Sequence, residues 1–161
     1  MTPSESVKAM WKAFSSAQPE LAGEGVAYST WHFCDNRADA DELAELVRAG
    51  TKRATAGALW AYEAEDEPLP QPGDLSVITD WDGQAVCVIR TASVDIVPFD
   101  DVSPEFAAIE GEGDGSLEYW RGGHLAFFTR ELAEIGRRPT PEMPVVCECF
   151  EVVYSSASSR G

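Results

Sequence analysis

Val7, Met10, Trp11 and Phe14 fall at i, i+3, i+4 and i+7 and form one apolar stripe, so the spacing predicts a first helix. Ser4 can cap it, with Glu5 in its first turn, and the stretch from Pro19 to Gly25 breaks it. Residues 26–33 are rich in aromatic and β-branched side chains and read as a strand. A second helix is predicted from near Asp39, with Asp41 and Glu42 at its positive end and Leu43, Leu46 and Val47 as its buried stripe. Gly50 is placed to end it. Thr55 then reads as the cap of a further helical stretch through Tyr62 and Glu63, followed by a stiff loop of Pro68, Pro70, Pro72 and Gly73.

The middle of the chain reads as β. Residues 75–79 form one strand, Asp82-Gly83 signals a hairpin, and residues 84–97 are long enough for one bent strand or two. Ser103-Pro104 opens a short helix. Ser116 caps a longer one through Leu117, Trp120, Leu125, Phe128 and Leu132, which Gly122-Gly123 should weaken or kink. Residues 145–153 make the closing strand. Residues 155–161, with no apolar side chain larger than alanine, read as a fraying tail. There are no internal repeats. Helices mixed with mostly antiparallel strands indicate an α+β domain built on a small barrel.

Composition narrows the function classes. The 161 residues are one domain's worth, with 44% hydrophobic and 25% charged residues, a globular balance. Twelve Lys and Arg against 28 Asp and Glu give −16, which repels polyanions at long range and argues against a general nucleic-acid coat, though not against a locally basic cleft. No apolar run approaches a membrane span, and the N-terminus has no basic-then-apolar leader pattern. The four cysteines are too few for a disulfide scaffold and read as reduced thiols in a cytoplasmic protein. A zinc site of His32, Cys34, Cys147 and Cys149 can be drawn, but nothing in the spacing demands it. No metal or cofactor is called for.

Three clusters could carry chemistry. Lys52 is the only lysine beyond residue 12, and it sits in Gly50-Thr51-Lys52-Arg53-Ala54-Thr55. A cationic neighbour and partial burial would depress its pKa and make it a usable base, with Thr55 on the same face and backbone N–H groups ready for an oxyanion or phosphate. The plainer reading is a solvated basic turn. Glu110, opening the run Glu110-Gly111-Glu112-Gly113-Asp114, is either a packed acid partnered with Lys52 or part of an acidic surface loop. Trp120, Arg121 and His124 on the long helix could stack a base and meet its phosphate or sugar, or could be core packing with a surface cation. No GxSxG, Walker-type loop or GxGxxG after a strand is present.

Residues 44–55, Ala-Glu-Leu-Val-Arg-Ala-Gly-Thr-Lys-Arg-Ala-Thr, resemble the GxKxxT signature of the ASCH domain family. Four further features fit the longer branch of that family. They are Trp31-His32-Phe33-Cys34-Asp35, Pro72-Gly73-Asp74, Glu110-Gly111-Glu112-Gly113-Asp114, and Trp120-Arg121 followed by His124 and Phe127-Phe128. The resemblance runs from about Trp31 to Tyr154. The chain departs from the pattern at Cys34, where many relatives have glycine before the aspartate.

The resemblance implies a PUA-like small β-barrel of mostly antiparallel strands with flanking helices. Residues 26–154 would be the ASCH domain, 1–25 a helical extension and 155–161 a disordered tail. It implies RNA or nucleoside chemistry, with a lysine, a threonine and a glutamate as catalytic groups. These carry over onto Lys52, Thr55 and Glu110. Trp31, Phe33, Arg53, Trp120, Arg121 and His124 are the expected substrate contacts. The first expectation is a hydrolase of N4-acylated cytosine nucleosides. The alternatives are a metal-independent ribonuclease and a non-catalytic RNA- or nucleotide-binding module. The partner is thus a small nucleoside or single-stranded RNA, with no membrane and no long duplex.

Overall fold

The computed structural model describes residues 1–155. Five α-helices and five β-strands are found among them: α1 (Pro3–Ala17), β1 (Ser29–Trp31), α2 (Arg37–Arg48), β2 (Ala54–Ala58), α3 (Leu59–Ala64), β3 (Leu75–Thr79), β4 (Ala85–Pro98), α4 (Pro104–Glu110), α5 (Leu117–Ala133) and β5 (Pro144–Ser155). The strands make one curled sheet in the order β1-β3-β4-β5-β2. β3 pairs antiparallel with β4 and β2 with β5, while β1 runs parallel to β3.

Contacts divide the chain into two compact units. The first holds Met1–Thr51, Gly73–Thr91 and the chain from Glu151; the second holds Lys52–Pro72 and Ala92–Phe150. In the first unit the predicted stripe of α1 is confirmed. Val7, Met10 and Phe14 pack with Leu75 and Val77 of β3 and Val88 of β4. The helix starts two residues earlier than expected. Thr2, not Ser4, is its cap, because Pro3 suits the first helical position and Glu5 completes a capping box with Thr2. The predicted strand at 26–33 shrinks to Ser29–Trp31. Cys34 beyond it adopts φ +62°, the left-handed conformation that glycine takes at no steric cost. α2 begins at Arg37 under an Asn36 cap rather than near Asp39, and buries Ala40, Ala44 and Val47 while Leu43 and Leu46 are half-buried.

In the second unit, Phe99, Trp120, Phe128, Leu132, Met143 and Val145 form the core. Ser103 and Ser116 cap α4 and α5 as expected. α5 continues through Gly122-Gly123 as one helix. Thr55 does not cap a helix. Residues 54–58 pair antiparallel with Val145–Cys149 of β5, and the next helix begins only at Leu59. The predicted β stretch at 84–97 is one long strand, Ala85–Pro98, and not two. Ser155 closes β5, which corrects its assignment to the tail, and the rest of that predicted tail lies outside the described residues.

Candidate active site

A turn at the end of α2 aims Lys52 inward. Gly50 takes φ +84°, its N–H donates to the Val47 carbonyl, and the Thr51 N–H donates to the Leu46 carbonyl. This is a Schellman closure, and it ends the helix in one step. The chain then runs extended. The Arg53 N–H donates to the carbonyl of Ile109 in α4 at 2.9 Å, and the Phe150 N–H donates to the Arg53 carbonyl at 3.0 Å. Alternation along this stretch buries Lys52 and Ala54 and exposes Arg53. Because Ile109 is the residue pinned, the next residue, Glu110, is delivered to the same spot. Gly111 follows at φ +66°, reversing the chain so that Glu112 reaches it too.

Lys52 is fully buried. Its Nζ donates to the Ala54 carbonyl, Glu110 Oε1 and Glu112 Oε2, each at 2.7 Å. Glu110 is equally buried, while the Glu112 side chain keeps 22% exposure. The Trp120 indole N–H donates to Glu110 Oε2 at 2.6 Å. His124 Nε2 stands 3.3 Å from the same oxygen, and its Nδ1–H donates to the Trp120 carbonyl at 2.9 Å. The His124 ring stacks on Trp120 at 4.2 Å and 16°. Glu110, Glu112 and His124 bring three potential metal-ligating atoms within 4.8 Å of one another, but the cation among these carboxylates is the Lys52 ammonium.

The charges follow from this packing. Burial pulls the Lys52 pKa down, but Glu110 and Glu112 outweigh it and the net shift is upward. This corrects the expected depressed amine: Arg53 points away, and the neighbours that matter are acids. Burial pushes Glu110 up, but the Lys52 charge and the His124 contact hold it well below the usual carboxylate range. Burial raises Glu112, and repulsion from Glu110 adds to this against the pull of Lys52. His124 is lowered by burial but raised more by its hydrogen bond to Glu110, with a net upward shift. Glu112 is therefore the carboxylate of the pair that holds a proton more readily, and its side chain has access to solvent.

The structure joins Lys52, Glu110, Trp120 and His124, and adds Glu112. The only sequence signal for Glu112 was its place in the alternating glycine–acid run. Trp120 is 2% exposed, with its ring against His124 and its N–H committed to Glu110, so base stacking gives way to a positioning role. Arg121 does not share its face. One residue on, it turns outward and donates to the Asp100 carbonyl at 3.0 Å. Thr55, half-buried, is paired with Glu148 on β2. Alternation puts it on the strand face opposite Ala54, Ala56 and Ala58, of which Ala56 and Ala58 pack into the core holding Trp120. Trp31 and Phe33 belong to the first unit, where their rings meet edge-on at 4.9 Å, and Phe33 is buried.

A family model described as ASCH domain matches residues 29–154. The chain belongs to the ASCH domain family. Solved relatives share the fold. An ASCH domain from Lactobacillus crispatus is 36% identical, with a TM-score of 0.88 over 93% of this chain and 95% of that one. A protein from Enterococcus faecalis is 33% identical, with a TM-score of 0.86 over 98% of this chain and 94% of that one. The comparison with curated proteins returns no match. ASCH domains are associated with nucleic-acid binding. Among the described residues of this ASCH domain, no helix is long and apolar enough to cross a membrane.

Proposed function

We propose that this ASCH domain hydrolyses acylated cytosine nucleosides of the N4-acetylcytidine type. The observation that carries the reading is Glu112, a partly exposed carboxyl with a raised pKa, bonded to a buried ammonium and coupled to a second carboxylate. A general acid–base group needs a pKa drawn toward the working pH and a path to the substrate. Glu112 has both. Lys52 is the fixed positive charge that orients the pair and keeps Glu110 ionised.

In the reaction, the Glu112 carboxylate takes a proton from a water that attacks the acyl carbonyl carbon. The tetrahedral adduct loses its bond to the exocyclic nitrogen as Glu112 returns the proton to that nitrogen. The products are the carboxylic acid and cytidine. Water is the nucleophile in this reading, and Thr55 lies on β2 opposite Glu148 of β5. A neutral nucleoside also meets no penalty from a chain carrying −16, whereas each phosphate of an RNA would.

The test is incubation with N4-acetylcytidine and chromatography of the products. The wild type should release cytidine. Glu112→Gln, equal in size and unable to cycle a proton, should be slower by about 10²–10⁴-fold. No cytidine from the wild type would end the reading. Cleavage of single-stranded RNA in EDTA by the same protein would put a ribonuclease in its place.

A further inference from the structure

The first unit contains an open surface depression of about 400 Å³ that the Lys52 cluster does not line. That volume lies in the range of small-molecule sites. Its wall is layered as such sites are. Val7 and Thr79 are buried in it, Tyr28 and Trp31 are half-buried, and Ser4, Lys8, Thr30 and His32 are exposed. The aromatic walls are held in place before any ligand arrives: Tyr28 stacks on Trp11 at 4.0 Å and 19°, and Trp31 meets Phe33 edge-on. Two aromatic side chains held in the wall favour an aromatic ligand.

The polar groups narrow the choice. Lys8 is one of three lysines in a chain of charge −16, so a cation at this depression is a specific feature and not a sample of a basic surface. His32 Nδ1 lies 3.1 Å from the Phe33 carbonyl; a carbonyl only accepts, so Nδ1 is the donor there. Ser4 and Thr30 add hydroxyls. We infer that this depression is a second site, for a planar heteroaromatic ligand carrying an anionic group, such as a purine nucleoside monophosphate. The aromatic walls take the ring, and Lys8 with the hydroxyls takes the anion. Trp31, expected from the sequence to serve the reaction centre, belongs to this site.

Titration calorimetry of the full chain with adenosine 5′-monophosphate, adenosine and inorganic phosphate tests this. The monophosphate should bind more tightly than adenosine, and phosphate alone should not bind measurably. Trp31→Ala should weaken the monophosphate tenfold or more. Because that change also removes the Phe33 contact, Thr30→Glu on the exposed wall provides a second arm; its carboxylate should repel the anion and weaken binding to a similar degree. Lys8→Ala should cut monophosphate affinity several-fold and leave adenosine unchanged. Glu112→Gln should change none of these values, which separates this site from the proposed reaction centre. No binding, binding untouched by Trp31→Ala and Thr30→Glu, or loss of binding in Glu112→Gln would overturn it.

Discussion

The Lys52 ammonium and the Glu110 carboxylate meet at 2.7 Å with neither side chain reaching solvent. Removing one member of a buried ion pair leaves the other uncompensated, which costs about 3–5 kcal/mol. Lys52→Met should fall in that range by urea denaturation, since it strands two carboxylates. Adding Glu110→Gln should recover part of the loss, so the double variant should be more stable than the sum of the singles.

Trp120 supplies the second anchor of Glu110. Trp120→Phe keeps an aromatic ring in the core but deletes the indole N–H, leaving Glu110 Oε2 short of a donor. With the His124 contact to the same oxygen still in place, losing one hydrogen bond to a charged group costs about 1.5–3 kcal/mol. The denaturation midpoint should drop accordingly. Hydrolysis should slow as well, because Glu110 and Glu112 share the same ammonium.

Gly113 should tolerate no side chain. It sits at φ +57°, and a Cβ there would lie 2.4 Å from the Tyr119 ring. Gly113→Ala must therefore displace the half-exposed Tyr119 ring or the segment that carries Glu112. Activity should fall more than stability, and Gly113→Ala combined with Tyr119→Ala should regain part of the activity, as relief of a clash requires.

His124 gives the fold a pH dependence of defined sign. Its pKa is raised above the ordinary 6.5 by its hydrogen bond to Glu110, against burial. A raised pKa means that the folded protein holds the proton more tightly than the unfolded chain. The stabilisation is complete below pH 6.5 and is lost as pH rises through the folded value. Stability measured upward from pH 6 should decline in the wild type, and His124→Gln should flatten that decline.

Much of the frame was legible because it is written locally. The α1 stripe, the Gly50 stop, the serine caps at 103 and 116 and the Asp82-Gly83 hairpin each depend on residues a few positions apart. β2 was not, because Ala-Thr-Ala-Gly-Ala holds a single β-branched residue and its strand character comes from pairing with β5. The lysine itself stood out by its scarcity, but the sign of its pKa shift did not. Its adjacent residue, Arg53, turns outward, while its true partners lie 58 and 60 positions away. That Trp120 gives Glu110 a hydrogen bond rather than a stacking surface is likewise a matter of helix orientation, beyond what spacing specifies.

The central claim is that Lys52 is an ammonium at neutral pH, fixed by two carboxylates. With three lysines in the chain, side-chain nitrogen NMR on protein labelled with ¹⁵N-lysine can assign each Nζ by substitution. The account predicts a Lys52 signal at pH 7 with the shift of a charged amine, slowly exchanging and unchanged as pH rises to 9. A neutral amine at pH 7, or a titration near neutrality, would contradict it.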